Sequence, residues 1–252
     1  MSASYPTKIM LAMKSGNKCA LVECRKNLVS DGKEAKPAII GEAAHIYGEN
    51  AGTKTKKASA RYKADMTDEE RNHLDNLIYL CPTCHTKIDK QEEDYPADQL
   101  FKIKSNHENW VIAQLDEQMS EITFAELDVA AKAIATGQHS VGEGFTVIPP
   151  EEKIAKNELS NEVSGLIAMG LSRSNEVSGY LCKVAQLDPD FPERLSNGFK
   201  EKYVELKHNF SGDQLFMSLL NFAQSGQIET KHQAASLAIL SHLFHICEVF
   251  EK

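Results

Sequence analysis

Asn76-Leu-Ile-Tyr-Leu-Cys81-Pro-Thr-Cys84-His85-Thr-Lys-Ile-Asp89 is the stretch whose reading decides the fold, taken together with Gly41-Glu-Ala-Ala-His45-Ile upstream. Leu77 to Leu80 form a strand-sized apolar run that ends at a Cys-x-x-Cys knuckle, and the knuckle leads directly into His85. His85 and Asp89 lie one helical turn apart and point the same way, a spacing suited to gripping one metal ion with a nitrogen and an oxygen. A second strand-sized run, Ala38-Ile39-Ile40, stands just before the Gly41–Ile46 segment.

Cys19 and Cys24 form a second tight pair, whereas Cys182 and Cys247 stand alone in apolar surroundings and are expected to pack as small core residues. This is not the distribution of a disulfide framework. In a reducing compartment paired cysteines are more often metal ligands, and these loop lengths let Cys19, Cys24, Cys81 and Cys84 complete one tetrahedral zinc site. With every position taken by protein, that zinc is structural, and it compensates for the small core that ~110 residues can build. Free thiols, and redox chemistry at Cys81 and Cys84, are the other readings of these pairs; no thioredoxin-like βαβ pattern surrounds them.

Residues 1–113 read as one α+β module. Thr67-Asp-Glu-Glu70 carries a helix N-cap with a carboxylate three residues on, and the helix it starts is expected to run to about Leu74. Leu100, Ile103, His107, Trp110 and Val111 form an amphipathic stripe that closes the module, with Trp110 expected in the core. Residues 114–150 read as a helix and a connector, because residues 136–150 combine three glycines with a terminal Pro-Pro. Residues 151–252 read as a helical domain for regulation or assembly. Breaks are expected at 187–192, Asn197-Gly198, 211–213 and Ser225-Gly226, and a last helix at roughly Thr230 to Phe250.

The 252 residues, 42% hydrophobic and 25% charged, suit two small domains. No run of eighteen apolar residues and no secretory signal appear, so a cytoplasmic protein with no membrane partner is expected. The net charge of −8 argues against a uniformly basic surface, but the distribution is uneven. Residues 1–63 hold 12 Lys+Arg against 5 Asp+Glu, a balance of +7, while the rest of the chain is acidic. Lys54, Lys56, Lys57 and Arg61, with Lys63, lie in a loop-like segment between His45 and Asn76, where cations can reach phosphates; a merely solvated lysine-rich loop is the alternative.

Taken in order, His45 in Ala-Ala-His-Ile, Asn76 before its strand, and His85 directly after the second cysteine pair resemble the HNH endonucleases. Glu-Glu-Arg71, Cys-His-x-x-Ile-Asp89, Tyr95-Pro, Lys104 and His107-Glu108 extend the resemblance over most of residues 19–111, toward a subset of bacterial defence nucleases. The resemblance implies a zinc-stabilised ββα-metal domain that hydrolyses phosphodiester bonds of double-stranded DNA. It makes His45 the general base, Asn76 the residue that holds the catalytic loop through backbone groups, and His85 with Asp89 the ligands of a catalytic Mg²⁺ or Mn²⁺ ion separate from the zinc. One departure stands out. Many of these enzymes carry an aspartate or histidine just before the base, where this chain has Ala44; Glu42, expected on the same strand face as Ala44, is a candidate substitute.

In the C-terminal half, Glu151-Glu-Lys-Ile-Ala-Lys-Asn157, Asp188-Pro-Asp-Phe-Pro-Glu-Arg-Leu195, Ser211-Gly-Asp213 and the ending His245-Ile-Cys-Glu-Val-Phe-Glu-Lys252 resemble the C-terminal domain of effectors in bacterial ABC-type three-component defence systems, the group that includes Lamassu. That resemblance implies an SMC-like ATPase and a small middle component as partners, with self-association as a route to activation. A stand-alone restriction-type HNH nuclease, or a zinc-containing DNA-binding or docking protein without activity, are the competing readings.

Overall fold

A computed structural model describes residues 3–30, 38–135, 150–224, 229–246 and 249–250, and the chain divides into two compact units, Met1–Ala113 and Gln114–Lys252.

The first unit opens with α1 (Tyr5–Lys14), capped by the Ser4 hydroxyl, which accepts from the Thr7 amide at 3.2 Å. Pro6 sits in its first turn, where the missing amide costs no helical bond. β1 (Val29–Ser30) pairs antiparallel with β2 (Ala38–Ile39). β3 (Glu42–His45) pairs antiparallel with β4 (Leu77–Leu80), with Glu42 opposite Leu80, Ala43 opposite Tyr79 and His45 opposite Leu77. The side-chain period of two then puts Ala43, His45, Leu77 and Tyr79 on one face and Glu42, Ala44, Ile78 and Leu80 on the other. All four residues of β4 are buried, because the strand packs against both α1 and α3 (Pro82–Lys90). Leu11, Leu21, Leu28, Ile46, Ile88 and Leu100 fill the core around it.

α2 (Asp68–Asn72) begins with the anticipated capping box: Thr67 Oγ1 accepts from the Glu70 amide, and Glu70 Oε2 accepts from the Thr67 amide at 2.8 Å. It ends at Asn72, before the expected Leu74, because His73 adopts extended backbone and Leu74–Asn76 tighten into a 3₁₀ turn. In α4 (Ala97–Met119), within which the division between units falls, the core position belongs to His107, whose Nε2 donates to Ser15 O at 3.1 Å. Trp110, expected in the core, is partly exposed, and the Arg25 guanidinium covers its ring at 4.1 Å from the centroid.

The second unit is helical: α5 (Phe124–Ala135), α6 (Pro150–Lys156), α7 (Asn161–Leu171), α8 (Ser174–Ala185), α9 (Phe191–Lys207), α10 (Gly212–Gln224) and α11 (Thr230–His245). α11 packs against α5, α7, α8 and α10 and is buried along most of its length. Three expectations need correction. Asn197-Gly198 does not break the chain: both residues are buried inside α9, where tertiary packing overrides weak helix propensity. Cys182 is exposed on α8 and is not a core residue. The last helix stops at His245; of the expected connector (136–150), Pro150 begins α6 and residues 136–149 lie outside the described residues, as do the Ser225-Gly226 break and Cys247. None of the described helices is long and apolar enough to cross a membrane.

The strand pair also sets a steric requirement. A Cβ at Gly41 would stand 2.1 Å from Tyr79 Cζ and 2.2 Å from its hydroxyl, so the buried phenol fits only against a glycine. Gly41→Ala is expected to destabilise the first unit by about 1–3 kcal/mol through overpacking, read as a lowered unfolding midpoint.

Candidate active site and metal centre

The two cysteine pairs meet at the base of β4. Cys19 and Cys24 flank the turn after α1, Cys81 caps α3, and Cys84 lies in the first turn of that helix. Their sulfur atoms all lie within 4.8 Å of one another, with Cys24 and Cys81 at 3.9 Å, and none forms a disulfide. A tetrahedron with zinc–sulfur bonds of about 2.3 Å has edges of about 3.8 Å, so the thiols fit one zinc ion with small adjustments. Backbone amides already point at two of the sulfurs: Cys81 N donates to Cys19 Sγ at 3.5 Å and Cys84 N to Cys81 Sγ at 3.4 Å. Burial pushes the Cys19 thiol up to about 11. At Cys81 burial is outweighed by hydrogen bonds from Cys84, Cys24 and Cys19, which hold this thiol below its ordinary value.

On one face of the β3–β4 pair, Glu42 and α3 build a charged cluster. His85 Nδ1 is 2.8 Å from Glu42 Oε2, and its Nε2 is 3.4 Å from Asp89 Oδ2, so one imidazole stands between two carboxylates. Hydrogen bonding to Asp89 and then to Glu42 outweighs partial burial and raises the His85 imidazole above its usual range. Half-burial opposes ionisation of Asp89, but bonds from His85 and Arg61 prevail and hold its carboxyl below the ordinary range. The two carboxylates meet opposite ring nitrogens, so His85 Nε2 and Asp89 Oδ2 are the pair that could approach one cation together, while Glu42 orients the ring from its Nδ1 side. Ala44 is fully buried and offers no ligand; Glu42, two residues earlier on the same face, is the carboxylate that reaches His85.

His45 projects from the other face into a cleft of about 380 Å³ that Glu42, Tyr79 and Lys8 also line. Its Nε2 lies 3.3 Å from Asn72 Oδ1, and the Asn72 amide is oriented by donating Nδ2 to Asp68 O at 2.9 Å. An amide oxygen only accepts, so this contact places a proton on His45 Nε2. Among the described residues no hydrogen bond joins His45 to His85; Glu42 connects them, bordering the cleft and bonding His85. A second hollow, about 500 Å³ and lined by Tyr47, Phe101, Glu69 and Asp75 among others, includes neither histidine.

Asn76 is buried and all its amide atoms are engaged. Oδ1 accepts from Tyr47 N at 2.9 Å, and Nδ2 donates to Tyr47 O at 3.0 Å and Arg71 O at 2.9 Å. It thus grips the backbone two residues beyond His45. Arg71, buried at the end of α2, donates to Gly48 O at 3.0 Å, to Met66 O at 3.1 Å and to Lys63 O, and lies 4.3 Å from the Tyr62 ring centroid. Neither Asn72 nor the inward role of Arg71 is visible in the sequence, where both are ordinary helix-surface residue types.

Of the four residues expected to reach phosphates, Lys54, Lys56 and Lys57 are exposed, Lys57 bonding Glu92 at 2.8 Å. Arg61 corrects the expectation. Its side chain is only 6% exposed, and its guanidinium is bound to protein oxygens.

Removing zinc should loosen the junction of α1, β4 and α3 and expose Ile88 and Leu80. The purified chain is expected to contain about one zinc per molecule, and Cys84→Ser to lose that zinc with a marked drop in unfolding temperature; a metal-free wild type with unchanged stability would contradict this.

No curated protein matches the chain. Residues 19–92, the stretch that holds both cysteine pairs, His45, Asn76, His85 and Asp89, match the family model for HNH endonuclease.

Proposed function

We propose that this chain is a metal-dependent DNA endonuclease. The observation that carries the reading is the His85–Asp89 pair on α3, with Glu42 on the second ring nitrogen, within the segment that matches the HNH endonuclease family. His45 Nδ1 takes a proton from the attacking water, while Asn72 holds the Nε2 side of the ring. Asn76 keeps the loop beyond His45 in place, so the imidazole does not have to be reoriented at each turnover. His85 Nε2 and Asp89 would hold a Mg²⁺ or Mn²⁺ ion, which would supply positive charge at the phosphoryl oxygens and the departing 3′ oxygen, and Glu42 would orient the His85 ring. Lys54, Lys56 and Lys57 attract the duplex without reading its sequence.

The biological role we assign is that of effector in a bacterial antiphage system, acting in the cytoplasm. The C-terminal unit mediates assembly with an SMC-like ATPase and a small middle component, and self-association releases the nuclease. The supporting observation is the likeness of residues 151–252 to the C-terminal domain of such effectors, together with the division of the chain into two separate units.

Supercoiled plasmid incubated with the protein, its candidate partners and Mg²⁺ or Mn²⁺ is expected to be nicked and linearised. His45→Ala should lower the rate by about 10²–10⁴-fold and abolish phage protection in cells carrying the neighbouring genes. Undiminished cutting by His45→Ala would remove the base assignment. Replacing Lys54, Lys56 and Lys57 together by Ala is expected to weaken DNA binding at every sequence. Its salt dependence should flatten by about one unit for each phosphate that is no longer neutralised, as followed by fluorescence anisotropy.

A further inference from the structure

Arg61 sits in the basic loop, yet it is built unlike its neighbours. Lys57 has a side chain 85% exposed, whereas that of Arg61 is 6% exposed. Its backbone is left-handed, with φ +54°, a conformation uncommon for residues other than glycine. Its amide donates to Glu92 Oε2 at 3.1 Å, which holds that turn against the segment after α3.

The guanidinium then spans the two elements of the site. Nε donates to Ile46 O at 2.8 Å, in the residue that follows His45; Nη1 donates to Ile88 O at 2.7 Å; Nη2 donates to Asp89 Oδ1 at 2.7 Å. One rigid planar group thus ties the end of β3 to the last turns of α3 and engages one oxygen of Asp89. The other oxygen, Oδ2, is the one that faces His85.

We propose that Arg61 is a positioning residue of the nuclease site: it sets the spacing between the His45 strand and the His85–Asp89 helix and aims Asp89 Oδ2 toward the divalent ion, and it does not bind phosphate. The inference rests on the nuclease reading above. A lysine retains the charge but has a single ammonium on a flexible stem, and it cannot meet three fixed acceptors in one plane. A carboxylate ligand released from such a partner binds metal about 10–100-fold more weakly.

The test uses the full chain with its zinc in place and compares wild type with Arg61→Lys and Arg61→Ala. Mn²⁺ affinity is measured without DNA by electron paramagnetic resonance, DNA affinity in EDTA by anisotropy, and cleavage against Mn²⁺ concentration. His85→Ala identifies the Mn²⁺ signal that belongs to this site. Arg61→Lys is expected to weaken Mn²⁺ binding about tenfold or more and to shift the Mn²⁺ requirement of cleavage equally, while zinc content, DNA affinity and its salt slope stay at wild-type values. Arg61→Ala should behave the same way; if it does not fold, Arg61→Lys alone decides. Unchanged Mn²⁺ affinity in Arg61→Lys overturns the proposal, as does a loss confined to DNA affinity in Arg61→Ala. If wild type binds Mn²⁺ in an Arg61-dependent way but cuts no DNA, the nuclease reading fails and the positioning role stands. If it cuts DNA and Arg61→Lys is indifferent, only the positioning role fails. If it neither binds Mn²⁺ nor cuts, both fall.

Discussion

Burial of β4 on both faces is the constraint on which the first unit depends. Leu77, Ile78 and Leu80 are fully buried and Tyr79 nearly so, each contributing about 1.5–3 kcal/mol by leaving water. Asn76 stands immediately before this strand and Cys81 immediately after it, so extended backbone fixes the gap between them at about 16 Å. One end holds the loop beyond His45; the other starts the thiol cluster and α3. Neither end can shift without exposing the strand, and the pairing of β3 with β4 passes this rigidity to Glu42 and His45.

The long segment between β3 and α2 has little apolar material with which to hold itself down, and two arginines take the place of a core there. Arg61 reaches Ile46 O and Ile88 O, and Arg71 reaches Gly48 O and Met66 O. Hydrogen bonds from a charged donor contribute about 1.5–3 kcal/mol each, and the fork of a guanidinium lets one residue satisfy several carbonyls that would otherwise be buried without partners. The ends of the loop are therefore fixed, while Lys54, Lys56 and Lys57 remain exposed at its tip. The arginine charges are thus turned inward onto backbone carbonyls, while the lysine side chains stay exposed even where one of them, Lys57, meets Glu92.

Adjacent positions on α3 feed two different clusters, the four thiols and the His85 cluster. Cys84 turns inward to the thiols, and His85, the next residue on α3, turns outward to Glu42 and Asp89. Successive helix residues point about 100° apart, so a single turn of helix can serve both centres without sharing a ligand. Soft sulfur donors suit zinc and hard oxygen donors suit Mg²⁺ or Mn²⁺, so the two clusters differ in the chemistry of their donors.

Much of this was legible in the linear chain because it depends on a few neighbouring residues. The capping box at Thr67, the strand at Leu77–Leu80, the two cysteine pairs and the His85–Asp89 spacing are local rules, and each element stands where its pattern predicts. What depended on distant partners was not legible. Glu42 meets His85 across 43 positions, Asn72 supports His45 from the end of another element, and Asn197-Gly198 is carried through α9 by packing. Arg61 is the clearest case. The sequence by itself determined that a cation stands in this loop, but only the tertiary structure decided its direction, because a left-handed backbone at that residue and acceptors from Ile46, Ile88 and Asp89 give the inward rotamer a protein partner at each of its three nitrogens.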